Sequence, residues 1–141
     1  MLSEQHSSVP DSPETHHAAY LETLAGIVET AGLETAREEA GVKSHRLEAL
    51  LEGEDPELTL EEAAALEALD PESPDADAVV LAACDHLLLG MTTAVLDVDT
   101  LAGELEVDLD PKEIQQRIER RAPMTLAEYA ALEHAIVSRG A

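Results

Sequence analysis

Residues 59–67, Thr-Leu-Glu-Glu-Ala-Ala-Ala-Leu-Glu, return as residues 125–133, Thr-Leu-Ala-Glu-Tyr-Ala-Ala-Leu-Glu, with seven of nine positions identical. The two stretches are 66 residues apart, 125 minus 59. Each begins with a threonine and carries a glutamate three positions later, which is the capping-box pattern that starts a helix. A sequence stretch that recurs at a fixed spacing indicates that the same group of helices or strands occurs twice in the chain. We therefore expect a chain built from two related halves.

The amino-acid composition indicates that both halves are helical. The 141 residues include no Phe and no Trp, and Tyr20 and Tyr129 are the only aromatic residues. Alanine and leucine favour helices, whereas the aromatic and β-branched residues that favour strands are scarce. We expect an all-α fold of eight helices, arranged as two tandem repeats of four helices each.

Turn-forming residues mark where the halves begin and end. Residues 1–12 are polar and show no apolar periodicity, so we expect a mobile tail there. Residues 13–70 make up the first predicted repeat, and residues 77–141 make up the second. The linker between them, residues 71–76, contains two prolines, which cannot continue a helix.

The most apolar segment, residues 77–96, opens the second repeat. Helices that are apolar on every side are buried, so we expect this one to lie between the halves or in an interface with a second copy or another protein. Asp85 and His86 near its middle argue against a membrane span. Because the N-terminal residues lack the pattern of a signal peptide, we expect a soluble, cytoplasmic protein. The apolar residues of the segment are Val79, Val80, Leu81, Cys84, Leu87, Leu88, Leu89 and Met91.

The net charge of −23, from 31 acidic and 8 basic residues, indicates a protein suited to concentrated salt. At about 1 M salt the Debye length falls to about 3 Å, which removes most of the repulsion between surface carboxylates. The acids are distributed along amphipathic segments and do not form one disordered block. In its acidic, lysine-poor and alanine-rich composition the chain resembles proteins of salt-accumulating haloarchaea. As a whole it is similar to a small acidic haloarchaeal family of unknown function.

The order of the predicted elements resembles a second family. Leu101-Ala102-x-x-Leu105-x-Val107 and Gly41-Val42-x-Ser44 are similar to the first helix and turn of a lambda-repressor-like helix-turn-helix. Glu52-Gly53 followed by Leu58-Thr59-Leu60-Glu61-Glu62 is similar to the loop and fourth helix of that family. The halves depart from the pattern at Arg37, where a small residue is expected, and at Glu106, where the turn glycine is expected. The resemblance implies double-stranded DNA as a partner, contacted by the outer face of the third helix in each half.

Basic residues are concentrated where that resemblance implies DNA contact. Seven of the eight lie between Arg37 and Arg46 or between Lys112 and Arg121. In the second half, Lys112, Gln116 and Arg120 are spaced four apart on one side of the third predicted helix. Lysine and arginine suit phosphate or guanine, and glutamine suits adenine. The predicted nucleic-acid contacts are Lys43, His45, Arg46, Lys112, Gln116 and Arg120.

Two other interpretations of these residues stay open. The basic side chains can instead pair with neighbouring carboxylates such as Glu113 and Glu119, at about a few tenths of a kcal/mol each. The same framework can also serve as a protein-binding adaptor, because a fold does not determine function. Two good base contacts supply about 2 to 6 kcal/mol, against roughly 11 to 15 kcal/mol for a specific site. DNA binding would therefore need a dimer or both halves.

The sequence contains no motif that indicates an enzyme. A glycine-rich phosphate loop, a nucleophile elbow and a Cys-x-x-Cys pair are all absent. We expect a non-enzymatic binding protein without a cofactor or a metal site. Of the six histidines, we expect His86 to be a hydrogen-bonded core residue and the other five, including His16 and His134, to be solvated. Cys84, the single cysteine, is expected to be a buried thiol.

Overall fold

The computed structural model describes residues 12–105 and 108–140. Of the predicted tail, residues 1–11 lie outside the described residues, as do Glu106 and Val107 of the second predicted helix-turn-helix. Within the described ranges the chain is all-α, as predicted, with eight helices and no strand. The helices are α1 Pro13–Ala31, α2 Leu33–Ala40, α3 Ser44–Leu51, α4 Leu60–Glu67, α5 Ala76–Ala94, α6 Val98–Glu104, α7 Pro111–Ile118 and α8 Leu126–Gly140.

The repeated stretch begins a helix in both places. At the start of α4 the Thr59 hydroxyl accepts from the backbone N–H of Glu62 at 3.1 Å, and the Glu62 carboxylate accepts from the N–H of Thr59 at 3.0 Å. Thr125 and Glu128 make the same two hydrogen bonds at the start of α8, at 3.0 and 2.9 Å. The two predicted capping boxes are therefore confirmed.

The two repeated stretches also contact each other. The backbone N–H of Leu60 donates to the carbonyl of Met124 at 2.7 Å, and the N–H of Leu126 donates to the carbonyl of Leu58 at 2.8 Å. These bonds form a short antiparallel bridge at the two capping threonines. The bridge holds the starts of α4 and α8 side by side. That the four helices on either side form equivalent units stays a prediction.

The helices of the two predicted halves pack across the boundary between them. α1 packs against α8, and α4 packs against α5. Leu24 of α1, Leu66 of α4 and Leu132 of α8 are fully buried and belong to one hydrophobic cluster. Of the predicted linker, residues 71–75 connect α4 to α5 without a helix, and Ala76 already begins α5. The two sets of helices therefore share a core.

α5 and α8 approach closely at Gly90. A Cβ atom on Gly90 would lie 2.7 Å from Cγ2 of Ile136, well inside van der Waals contact. Ile136 is buried and β-branched, so its side chain has little freedom to move within α8. Gly26, in the middle of α1, offers the contrast, because a Cβ atom there would meet no atom within 4 Å. The absence of a side chain at Gly90 lets the two helices pack.

Replacing Gly26 by alanine should raise the free energy of unfolding, whereas replacing Gly90 by alanine should lower it. Both glycines lie inside helices of 19 residues, so both substitutions gain about 0.5 to 1 kcal/mol of helix propensity. At Gly90 the overpacking adds a cost of about 1 to 3 kcal/mol. Urea unfolding followed by circular dichroism should give the highest free energy of unfolding for Gly26→Ala, a lower one for wild type and the lowest for Gly90→Ala. Equal effects at the two positions would show that α5 and α8 are not in close contact.

Candidate functional site

One side of α5 is exposed and apolar. Leu81, Leu88 and Leu89 are 53%, 47% and 62% exposed, and these three leucines form what we term the α5 face. They lie away from α4, α7 and α8, the described helices against which α5 packs. Within the described part of the chain α5 has neighbours on one side only. The expectation that its other side lies in an interface with a second copy or another protein stays a prediction.

The other side of α5 is a core surface. By length and composition α5 is the one described helix that could cross a membrane, but the core helix of a soluble protein passes the same test. Cys84 on this side is a buried thiol, as expected, and burial raises its pKa. The residues of α5 that are buried are Val79, Val80, Ala83, Cys84, Leu87 and Met91.

The predicted DNA contacts of the first half lie at the start of α3, and one of them is engaged within the fold. Lys43 and His45 are exposed. Arg46 is partly buried and holds Glu62 with both amino groups, Nη1 lying 2.5 Å from Oε2 and Nη2 lying 2.8 Å from Oε1. It also donates to two carbonyl oxygens of the loop before α4. The hydrogen bond from Arg46 lowers the pKa of the Glu62 carboxyl, and the pair joins α3 to α4.

In the second half the predicted stripe is interrupted, because α7 ends at Ile118. Arg120 has a φ of 64°, in the left-handed region, and the N–H of Arg121 donates to the carbonyl of Gln116 at 2.8 Å. This Schellman arrangement terminates the helix, so Arg120 does not continue the face that carries Lys112. The expectation of a helical stripe through Arg120 is wrong. Lys112 is exposed, and Gln116 is partly buried.

The first half contains the signal that predicts this stop. Gly53 ends α3 in the same way, with a φ of 83°, and the N–H of Glu54 donates to the carbonyl of Ala49. Gly53 and Arg120 are 67 residues apart, 120 minus 53, and so are the inward-facing Leu47 and Ile114, 114 minus 47. Aligning the two halves at this shift places the end of α7 correctly, although an arginine stands where the glycine is expected.

Most basic side chains bind carboxylates of the fold. Arg117 Nε lies 3.1 Å from Oε1 of Glu128, the capping residue of α8, just as Arg46 binds the capping residue of α4. Three further arginines lie beside glutamates. The interpretation that basic residues pair with neighbouring carboxylates therefore holds for five of the eight. Within residues 12–105 and 108–140, the cations in no ion pair are Lys43, Lys112 and Arg120.

A group of polar side chains is enclosed by α1, α5 and α8. Glu133 Oε1 lies 2.5 Å from Nε2 of His16 and accepts the phenolic hydroxyl of Tyr20. Glu133 Oε2 lies 2.7 Å from Nε2 of His86. Tyr129, one turn earlier on α8, is also hydrogen bonded to Glu133. These five residues form what we term the Glu133 cluster.

The Glu133 cluster keeps its central carboxylate charged. Burial opposes the charge, but the hydrogen bonds from His16, His86 and Tyr20 outweigh it and lower the pKa of Glu133 to about 2. Burial and the charge of Glu133 raise the pKa of both tyrosines, which therefore donate as neutral phenols. Glu67, the residue of the first repeated stretch that corresponds to Glu133, is buried as well.

The histidines fit the sequence-based expectation only in part. His86 is largely buried and bound to Glu133, as expected, but His16 is fully buried, and the expectation that it is solvated is wrong. The spacing contained a signal, because His16 precedes Tyr20 and Leu24 at intervals of four along the buried stripe of α1. Among the described residues, histidine, cysteine and acidic side chains form no group of three or more that could hold a metal ion.

These features define a small, strongly acidic all-α protein with a charged polar cluster in its core and one exposed apolar helix face. The chain belongs to a family of unknown function, DUF5791, whose model matches residues 16–139. That range contains every residue of the Glu133 cluster and of the α5 face. No curated protein and no solved structure matches the chain.

Replacing Glu133 by glutamine should lower the free energy of unfolding by about 3 to 5 kcal/mol, the cost of removing one partner from a buried charged network. Glu22→Gln, at an exposed position of α1, removes the same charge and should change it by less than about 0.5 kcal/mol. Urea unfolding at neutral pH measures both. A Glu133→Gln variant as stable as Glu22→Gln would show that the cluster does not stabilise the fold.

The stabilisation by Glu133 should depend on pH in one direction. Its pKa is about 2 in the folded chain, against an ordinary value of 4.5. Because the pKa is lowered on folding, the contribution is complete above the ordinary value and is lost as the pH falls through the folded value. The difference in free energy of unfolding between wild type and Glu133→Gln should therefore shrink between about pH 4.5 and pH 2. The two histidines and two tyrosines of the cluster face the same carboxylate, so a constant difference would mean that they do not hold it charged.

Proposed function

We propose that this protein is a non-enzymatic binding protein that engages another protein through the α5 face. The proposal is carried by one observation, three leucines about half exposed on the same side of one helix. Contiguous exposed apolar surface of this kind is characteristic of interaction sites. Complete burial of a leucine side chain is worth about 1.5 to 3 kcal/mol, so covering three half-exposed leucines contributes roughly half that for each.

The geometry of the Glu133 cluster supports a structural role for it. The side chains of His16 and Glu133 are 0% and 1% exposed, so a substrate could reach the carboxylate only if α1, α5 and α8 separated. A general acid or base works best when its pKa lies near the working pH. Glu133, with a pKa of about 2, is held in its charged form at any pH near neutrality.

Site-directed cross-linking in the organism of origin tests the proposal. A photo-cross-linking amino acid at position 89 should capture one discrete protein, and the same group at position 34, exposed on α2, should not. The captured protein, produced recombinantly, should bind the wild-type chain and lose at least about tenfold in affinity for a Leu88→Ser, Leu89→Ser variant. Both substitutions lie on the exposed side and leave the core intact. If neither position 81 nor position 89 cross-links, the α5 face does not bind a protein.

Double-stranded DNA is the second candidate partner. Lys43, Lys112 and Arg120 take part in no ion pair within the described chain, so their charges are available to phosphate groups. α3 packs on α1 and α2, whereas α7 packs on α5 and α6, so a single chain offers these cations from helices that do not touch. The net charge of −23 also opposes approach to DNA unless salt screens it. We therefore rank DNA below a protein partner.

Fluorescence anisotropy with labelled genomic fragments, at about 0.2 and 2 M KCl, decides whether these cations bind DNA. A Lys43→Ala, Lys112→Ala, Arg120→Ala variant should bind every fragment more weakly, and its salt dependence should be less steep by about one for each phosphate group that is no longer bound. Arg37→Ala, which removes a cation already beside Glu38, serves as the control. An affinity that is unchanged in the triple variant would exclude DNA contact through these residues.

We further propose that the protein works inside the cell in concentrated salt and that its halves derive from one helix-turn-helix-like unit. The net charge of −23 supports the first point. The second is supported by the paired capping boxes and by the tight connection between α2 and α3, in which Gly41 adopts a φ of 71°. The connection between α6 and α7 is longer, so the likeness to a helix-turn-helix is better in the first half.

A further inference from the structure

Five of the exposed residues of α5 follow a heptad spacing. Ala78, Leu81, Asp85, Leu88 and Thr92 are all exposed, and successive members are three, four, three and four residues apart. An average spacing of 3.5 residues lets a helix present one continuous seam to a neighbouring helix. These five residues form what we term the α5 seam, which extends over about 21 Å of helix at 1.5 Å per residue. It contains two of the three leucines of the α5 face.

We infer that the α5 seam is bound by one amphipathic helix of another protein, which places a lysine or arginine opposite Asp85. The inference rests on the proposed function of the α5 face and specifies its partner. Asp85 is exposed and takes part in no ion pair within the described part of the chain. A carboxylate in the middle of an apolar seam loses its water when the seam is covered, and that loss must be offset by a cation. The partner is therefore apolar along its contact and basic at one central position.

A second copy of this chain does not meet that requirement. In a parallel pair, equivalent heptad positions face each other, so Asp85 would meet Asp85 of the second copy. In an antiparallel pair the register that keeps both seams in contact places Leu81 opposite Thr92 and Asp85 opposite Leu88, so each carboxylate would be enclosed without a cation. Both arrangements therefore enclose two carboxylates, and neither supplies a cation to offset them. Like charges placed together across an interface exclude a partner.

Concentrated salt separates this specific pairing from general attraction to an acidic surface. At about 1 M salt and above, the Debye length is about 3 Å or less, so the net charge of the protein no longer attracts every basic molecule. A pair enclosed in the seam is screened much less. Selectivity for a cation opposite Asp85 should therefore persist at salt concentrations that abolish non-specific binding.

Two synthetic peptides test the inference. Each is an amphipathic helix of about 18 residues with leucine at the seam positions, and the two differ only at the central position, which is lysine in one and glutamate in the other. Both are checked to be monomeric by sedimentation, and binding to the full chain is followed by fluorescence anisotropy at about 0.2 and 2 M KCl. The lysine peptide should bind at least about tenfold more tightly than the glutamate peptide at both salt concentrations.

Charge reversal on the protein completes the comparison. Asp85→Lys should reverse the preference between the peptides, whereas Glu29→Lys, at an exposed position of α1, should leave it unchanged. Circular dichroism establishes that both variants are folded. A preference that is the same in wild type and Asp85→Lys overturns the inference, and so does equal binding of both peptides to wild type.

Failure of the inference can be told apart from failure of the proposed function. Equal binding of both peptides that is abolished in Leu88→Ser, Leu89→Ser overturns the role of Asp85 and leaves the α5 face as an apolar binding surface. Absence of binding by both peptides overturns the inference, and the proposed function falls with it only if positions 81 and 89 also fail to cross-link. A dimer in about 2 M KCl that becomes monomeric in the double serine variant would show that a second copy covers the face, which also overturns the inference.

Discussion

One buried negative charge, on Glu133, constrains how the helices pack. Removing a carboxylate from water costs several kcal/mol unless hydrogen bonds and positive groups replace the lost solvent. Here the replacement comes from His16 and Tyr20 of α1 and from His86 of α5. The interaction therefore forms only when α1, α5 and α8 hold one arrangement. The rest of the interior is aliphatic, and cores of this kind lose uniqueness of packing before they lose stability. We expect the buried charge to supply packing specificity that an aliphatic interior provides weakly.

A second polar constraint lies where the repeated stretches meet, at the capping threonines of α4 and α8. In each half the capping glutamate is also held by an arginine of the preceding helix, Arg46 in one and Arg117 in the other. The two arginines do not occupy equivalent positions, since one lies in the first turn of α3 and the other in the last turn of α7. The same link between neighbouring helices is thus made by different residues. A basic side chain engaged in this way joins neighbouring helices.

The helices could be predicted from the sequence because their signals are local. A capping box joins residues only three positions apart, so the starts of α4 and α8 followed from Thr59 with Glu62 and from Thr125 with Glu128. The end of α7 has no such local signal, because a left-handed arginine is uncommon, and it can be predicted only by aligning Arg120 with Gly53 of the first half. The environments of His16 and of the α5 face depend on which helix covers which. The spacing of apolar residues shows which face of a helix is apolar, but it does not show whether another part of the chain covers that face.

The leucines of the α5 face are not needed to form the core, since α4 and α8 pack against the opposite side of the helix. Polar residues at positions 81, 88 and 89 would leave that packing unchanged and would remove a surface prone to self-association. Asp85 counters self-association in another way, because it places a carboxylate where two copies of the seam would meet. The leucines favour association, and Asp85 restricts which molecules can associate. In concentrated salt, where attraction over long distances is screened, the proposed contact between a single pair of charges would still let this surface select a partner.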